Sequence, residues 1–356
     1  MTALPKSCKA ACVHDSGQNF KVVVEDVQCP TPGEGEILVK LNVTGLCYSD
    51  VHHMLEDLPM PKMREYGVRS PGHEGAGRVV SLGPGVTNWA PGDRVGVKPM
   101  WSTCGKCSLC CGDREMFCPN ALQTGLQKTG TYQQYLLASA DHAIRIPAGI
   151  EDHIAAPILC SGATVYRGIS ESCLKAGDWV VISGAGGGVG HLGIQYAKAM
   201  GMRVIAVDGG TEKGTLCKQL GAAAYVDFRV VKDIAAEVVQ VTGGLGAHGV
   251  IVAAGNAAAY RNLPAMLRVG GVIMCIGLPP ANTADAGGDP LGIIGKNLRI
   301  TGTLVGTRQD VLKALEFVEQ GLVKPIVEVY ALENIQTAVN KLRNGEVQGR
   351  SVVAFN

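Results

Sequence analysis

The sequence predicts an α/β protein, with a β-rich region preceding a doubly wound parallel sheet. Three observations carry this reading. Residues 1 to about 157 hold short Val- and Ile-rich runs bounded by Gly, Pro or Asp. Beyond Cys160, continuous apolar runs alternate with segments of helical spacing, as in a parallel sheet covered on both faces. A Gly-rich turn, SGAGGGVG, joins the first of those runs to a helix. A length of 356 residues fits two domains, expected at 1–157 with 308–356, and at 158–307.

In the first region, KVVVEDV, EILVKLNVTG, GAGRVVSLG and DRVGVKP read as strands joined by tight turns. In the second, WVVISG, MRVIAVD, AAYVDF, HGVIVAA, GVIMCIG and LRITGT are the strand candidates. Helices are expected over Val189–Met200 and around Glu212–Leu220, Val231–Val241 and Ala257–Leu267. Near the end, DVLKALEFVEQG has helical spacing, and RSVVAF reads as a strand returning to the first domain. ADAGGD is expected to be a mobile surface loop, and no repeat or low-complexity tract interrupts the pattern.

Charge and composition narrow the partners. Lys and Arg total 32 against 31 acidic residues, so no global field favours nucleic acid or anionic lipid. Aromatics make up 5% of residues, which leaves little on which to stack bases. A small molecule is the expected partner. The opening MTALPKSCKA lacks an apolar export signal, and no window is long and apolar enough to span a bilayer. A cytoplasmic, reducing setting is expected, where thirteen cysteines suggest metal binding rather than paired disulfides.

Cys104, Cys107, Cys110 and Cys118 form a C-x2-C-x2-C-x7-C run. Two-residue gaps let neighbouring thiolates converge from one loop on a Zn²⁺ about 2.3 Å from each sulfur, and the longer return closes the tetrahedron. With four protein ligands no position stays open to substrate, so this zinc is structural and the chemistry lies elsewhere. Cys111, next to Cys110, is a fifth candidate that could replace Cys110; a disulfide or a set of reduced surface thiols is the bland alternative.

The Gly-rich turn offers a second site. Glycines in a βα turn let the backbone approach a pyrophosphate, and the helix N-terminus supplies N–H groups. Ala185 occupies the first slot of the usual G-x-G-x-x-G register, while Gly184, Gly187, Gly188 and Gly190 supply the surrounding glycines. Asp208 follows Gly190 by 18 residues, at the end of RVIAVD. A carboxylate there accepts hydrogen bonds from both ribose hydroxyls of NAD and repels the 2′-phosphate of NADP. A plain turn and a helix cap are the structural alternatives.

Cys47 in GLCYSD, His73 in PGHEG and Cys160 in APILCSG are further metal-ligand candidates, although no spacing rule groups them. Taken singly, a buried Cys is more often an inert apolar residue. The order of GHEGAG, the four-cysteine loop, APILCSGATVY, QYAKAMG, VDGG and GLVKP nevertheless resembles the zinc-dependent medium-chain alcohol dehydrogenases. The likeness runs from near residue 8 to the C-terminus and is strongest to the tetrameric yeast and fungal branch.

That resemblance implies a GroES-like catalytic domain beside a Rossmann NAD-binding domain. It also implies two zincs per chain, NAD as cofactor, alcohol and aldehyde or ketone as substrates, and a homo-oligomer, a tetramer in that branch. It assigns Cys47, His73 and Cys160 as ligands of a catalytic zinc with an exchangeable fourth position. Glu74 would be a carboxylate able to approach the metal, and Asp50 the acceptor that orients His73. The alcohol proton would pass through Ser49 and a cofactor ribose hydroxyl to His52 at the solvent edge. Arg350 would meet the pyrophosphate, Lys213 the adenosine ribose and Thr164 the nicotinamide.

Departures from the family fall mainly around the substrate. Tyr48 stands where relatives commonly carry His or Arg at the pyrophosphate. Met54, Leu58 and Pro99 match positions of pocket-narrowing tryptophans, and Leu278 is a further apolar wall. Smaller, flexible side chains there predict a substrate larger than ethanol, a primary alcohol. Three alternatives remain: a zinc polyol dehydrogenase, a quinone-reductase-like enzyme without catalytic metal, and a non-enzymatic zinc-binding interaction module.

Overall fold

In the computed structural model, which describes residues 4–355, the apolar run Trp179–Ser183 lies inside a six-stranded, fully parallel sheet. To one side lie Arg203–Asp208 and then Ala224–Asp227. To the other lie Ala247–Val252, Leu267–Cys275 and Arg299–Gly302. Strand order therefore reverses at Trp179–Ser183, and the crevice beyond the carboxyl ends at such a reversal is the standard ligand position in open α/β sheets. Val180 to Ser183 are all buried, the pattern of a strand covered on both faces. Val181, Ile205, Val207, Val250, Val252 and Ile273 share one apolar core. Each such side chain contributes roughly 1.5–3 kcal/mol by leaving water.

The helices follow the expected order with two departures. Gly190–Ala199 and Thr211–Leu220 lie where helical spacing places them. The next helix starts only at Ile234, because the Asp233 side chain accepts from Ala236 N at 3.0 Å and caps it there. The expected helix over Ala257–Leu267 is broken. A 3₁₀ turn at Ala257–Tyr260 is followed by Asn262 in the left-handed region, then the short helix Leu263–Met266 with Pro264 in its first turn. Leu267 already belongs to the next strand. The ADAGGD segment lies outside helix and strand, with Ala284 and Ala286 resting against the core.

A second sheet has seven strands around Glu36–Gly45, which pairs with Gly75–Leu82, Tyr135–Ser139 and Arg350–Ala354, all antiparallel. The final strand brings Val352 opposite Gly45, so the chain's end closes against a strand formed near its beginning. Ile37, Val39, Leu41, Val79, Val95 and Leu136 form an apolar core on this sheet. By contact, Met1–Cys160, Thr307–Glu319 and Val327–Asn356 form one unit, and Ser161–Gly306 with Gln320–Ile326 the other. Among the described residues, no helix is long and apolar enough to cross a membrane.

Candidate functional site

Cys47 ends the turn after Glu36–Gly45 and caps the helix Tyr48–Leu55, whose Asp50 accepts from Cys47 N at 3.1 Å. His73 and Glu74 immediately precede the strand Gly75–Leu82. Cys160 sits on a π-helical turn, Ile158–Gly162, that follows the helix Asp152–Pro157. Such widened turns are common at functional positions. The fold brings ligand atoms of Cys47, His73, Glu74 and Cys160 within 4.8 Å of one another, all four residues buried. Gly45 makes room for this arrangement: a Cβ there would lie 2.1 Å from a Glu74 carboxylate oxygen.

Asp50 is fully enclosed and holds His73 through an Nδ1–Oδ1 contact of 2.7 Å. Its oxygens also accept from Gly72 N at 3.2 Å and from the Tyr132 hydroxyl at 3.1 Å. Tyr132 is wholly buried and carries no motif, so sequence reasoning had no signal for it. With Nδ1–H given to Asp50, the imidazole presents Nε2 to the cluster. Burial works against protonation of His73, but the Asp50 carboxylate outweighs it and raises the group well above its ordinary value.

The two thiols are pushed apart. A hydrogen bond from Cys160 holds Cys47 well below the usual thiol range despite burial, with His73 reinforcing it. The same bond, followed by burial, drives Cys160 up. Burial pushes Glu74 up to about 7, against the pull of Arg350, whose guanidinium pairs with its carboxylate inside the protein. Two sulfurs, an imidazole and a carboxylate, dry and convergent, are the donor set of a zinc site.

The second cluster is local. Cys104, Cys107, Cys110 and Cys118 also bring their sulfurs within 4.8 Å. Individual S···S separations are 3.5 Å for Cys107–Cys110, 3.6 Å for Cys118–Cys104 and 3.9 Å for Cys104–Cys110. Sulfurs at the vertices of a tetrahedron 2.3 Å in radius would stand about 3.8 Å apart, so the cage fits zinc without rearrangement. Cys111 is exposed and outside the cluster.

In the parallel-sheet unit, the Gly-rich turn leaves the carboxyl end of Trp179–Ser183. Gly184 has φ +73°, and a Cβ on Gly190 would stand 2.0 Å from Gly184 O, so helix and turn close only without side chains there. Gly187 and Gly188 lie between them in the same turn. Asp208 ends the neighbouring strand and accepts from Gly186 N and Gly209 N, both at 2.8 Å. Lys213 Nζ lies 3.2 Å from its Oδ1. Thr164 lies half-buried on the helix Ala163–Glu171. A glycine turn, a helix N-terminus and an acid at the end of the next strand suit an adenosine dinucleotide.

Family profiles match both parts of the chain. "Alcohol dehydrogenase GroES-like domain" covers residues 33–148, and "Zinc-binding dehydrogenase" covers 188–320. An alcohol dehydrogenase of Schizosaccharomyces pombe is 40% identical over 351 residues, 98% of each chain. The chain belongs to the zinc-dependent alcohol dehydrogenase family. As an oxidoreductase of this family it also shares its fold with solved relatives. The alcohol dehydrogenase of Aeropyrum pernix aligns with a TM-score of 0.88 at 28% identity, over 98% of this chain and 100% of that one. The acetophenone reductase of Geotrichum candidum, solved in complex with NAD, aligns at 0.86 and 26% identity, over 99% and 98%. The family assignment removes the non-enzymatic interaction module.

Two expectations need correction. Met54 does not line a pocket: it is 0% exposed and packs with Val51, Leu55, Ile335 and Ala338 in the core beside its helix. A thioether takes the place of an indole there by filling core volume. His52 is not at the solvent edge but buried, with Nδ1 2.7 Å from Asp57 Oδ1. Its neighbour His53 is driven down to about 4 by burial, and its Nδ1 has no hydrogen-bond partner. Ser49 is half-buried, its hydroxyl 3.7 Å from Cys47 Sγ. Leu58 is half-buried, and Leu278, in the other unit, is exposed.

Proposed function

We propose that this protein interconverts alcohols with aldehydes or ketones by hydride transfer to and from NAD. The observation that carries the reading is the buried Cys47–His73–Cys160 donor set with its imidazole oriented by Asp50. A zinc ion held by these three residues would supply Lewis-acid polarisation of the alcohol oxygen, and NAD would accept the hydride. A second zinc, held by Cys104, Cys107, Cys110 and Cys118, would be structural.

The chain's own groups do the rest. Asp50 fixes the His73 tautomer, while Glu74 and Arg350 place a neutralised charge pair behind the thiolates. Ser49 would be the first acceptor of the alcohol proton and His52 the last, and bound NAD would supply the ribose hydroxyl that links them. Gly184, Gly187, Gly188 and Gly190 admit the pyrophosphate and Thr164 packs on the nicotinamide, whereas Arg350, expected at the pyrophosphate, is buried with its guanidinium taken by Glu74. Asp208 and Lys213 receive the adenosine ribose, and the Asp208 carboxylate selects NAD over NADP.

For substrate, a primary alcohol larger than ethanol is favoured by Leu58 in place of an indole and by apolar Leu278. The likeness to a protein named acetophenone reductase supports a substrate larger than ethanol, though a ketone corresponds to a secondary alcohol. We place the enzyme in the cytoplasm as a homotetramer. The strand Arg299–Gly302, which ends the parallel sheet with all four residues exposed, supports oligomer formation because its edge is open to pairing.

Zinc content and one substrate panel test the proposal. Two zincs per chain are expected, with NAD-dependent oxidation of primary, aromatic or branched alcohols faster than that of ethanol or polyols. A chain with fewer than two zincs, or one that prefers NADP or polyols, would contradict it.

A further inference from the structure

We propose that Asp57 is a positioning residue for His52: it holds the proton on His52 Nδ1 and thereby leaves the Nε2 lone pair to accept the relayed proton. This inference rests on the relay reading above and extends it to a residue with no assigned part.

Three observations meet at this position. The His52 side chain is 3% exposed, whereas that of Asp57 is 23% exposed, and the two touch at 2.7 Å through Nδ1 and Oδ1. Tyr48 packs against the imidazole edge-on, with ring centroids 4.9 Å apart, which limits ring rotation. Between the two partners the chain makes an unusual reversal. Glu56, a non-glycine residue, adopts φ 54° and ψ 35° in the left-handed region, and its N–H caps the helix on His52 O at 2.9 Å. That conformation is sterically costly for a residue with a Cβ, and strain of this kind collects at functional positions. Here it folds the chain back so that the next residue, Asp57, meets the ring of a residue in the preceding turn.

The two adjacent acids are engaged differently. The Glu56 carboxylate is taken by Lys62 at 3.1 Å and Arg64 at 3.0 Å. Asp57 instead faces the imidazole. An ionised carboxylate only accepts hydrogen bonds, so it selects the tautomer with hydrogen on Nδ1 and the lone pair on Nε2. In the oxidation direction the substrate loses a hydride to NAD and one proton to the relay. That proton arrives on Nε2, and the imidazolium then keeps Asp57 as its counter-charge. In the reduction direction the same proton returns along the same atoms. Without Asp57 the Nδ1-protonated tautomer loses its anchor, and a ring protonated on Nε2 cannot accept.

The test compares Asp57→Ala, Asp57→Asn, Asp57→Glu, His52→Ala and the Asp57→Ala/His52→Ala double variant in the zinc-loaded enzyme. Single-turnover alcohol oxidation is followed by NADH absorbance below neutral pH. We expect Asp57→Ala and Asp57→Asn to slow hydride transfer on the order of tenfold, a fraction of the usual general-base contribution. NAD affinity, aldehyde KM and melting temperature should stay at wild-type values, and Asp57→Glu should recover part of the rate. Added imidazole should rescue Asp57→Ala as it rescues His52→Ala, and the double variant should be no slower than His52→Ala alone. Multiplying losses in the double variant, or slow turnover in His52→Ala beside normal turnover in both Asp57→Ala and Asp57→Asn, would overturn the role of Asp57. Normal turnover in His52→Ala would overturn the relay itself, and this inference with it.

Discussion

Replacing Tyr132 with Phe removes one oxygen atom from the centre of the catalytic unit and should be felt in both stability and zinc retention. The Tyr132 hydroxyl donates to Asp50 Oδ2 at 3.1 Å, and both residues are fully enclosed. Asp50 otherwise accepts from Cys47 N, Gly72 N and His73 Nδ1, so the substitution leaves Oδ2 with Cys47 N as its named donor. A hydrogen bond to a charged group contributes about 1.5–3 kcal/mol, and solvent is not at hand to replace this one. For a domain of this size each kcal/mol lowers the melting temperature by roughly 2–4 °C, so a drop of roughly 3–12 °C is expected. Because Asp50 aims His73, zinc affinity should also fall, by less than the roughly 10- to 100-fold of losing Asp50 itself, since the direct partner of His73 is kept. Thermal denaturation with competition against a chromophoric chelator measures both quantities. The exposed Tyr66→Phe serves as control. A Tyr132→Phe protein that melts within 1 °C of wild type (roughly the error of such a scan) and holds zinc equally well would refute the view that the Asp50 network positions His73.

Three further outcomes are expected. Cys104→Ser should lose one zinc of two and lower thermal stability, because it opens a closed four-sulfur cage; atomic absorption and a melting curve check this. Asp208→Asn keeps one oxygen to accept from either Gly186 N or Gly209 N but not both, and should raise the NADP-to-NAD ratio of kcat/KM on the order of tenfold as the charge repulsion is lost; an unchanged ratio would assign cofactor choice elsewhere. Lys98 is enclosed beside Glu115 at 3.5 Å, and burial depresses it from 10.5 to about 8. The unfolded chain then holds this proton more tightly between those values. Unfolding free energy should accordingly rise from about pH 8 to 10.5 and be lost as pH falls through 8, by about 3 kcal/mol at the limit. Lys98→Met should flatten that limb in urea titrations, and an unaltered slope would show that the ammonium is not buried in solution.

Local chemistry made part of this protein legible before any fold was known. The four-cysteine cage spans Cys104 to Cys118, short enough for the gaps alone to bring the sulfurs together. The Gly-rich turn and Asp208 belong to one strand–turn–helix–strand unit, whose geometry is set by backbone sterics and hydrogen bonding at close range. Apolar runs such as Trp179–Ser183 announced a two-sided parallel sheet because burial on both faces leaves no room for alternation. Where local signals competed, reading was weaker: Ala257–Leu267 has helical spacing, but Asn262 and Pro264 divide it.

Other features were decided only when distant segments met. Cys47, His73 and Cys160 lie too far apart for any spacing rule; resemblance grouped them, and strand pairing with the π-turn at Ile158–Gly162 brings their ligand atoms together. Tyr132 gains its place because Gly72 and Asp50 approach it across the fold. Met54 was expected to wall the substrate pocket and His52 to stand at the solvent edge, yet packing encloses both, the first in a core shared with Ile335 and Ala338. Residue type and period report what a side chain prefers within a few turns of chain. Whether that preference becomes a wall, a ligand or a proton acceptor depends on which other element arrives opposite it, and that is set by long-range burial and hydrogen bonding summed over the whole domain.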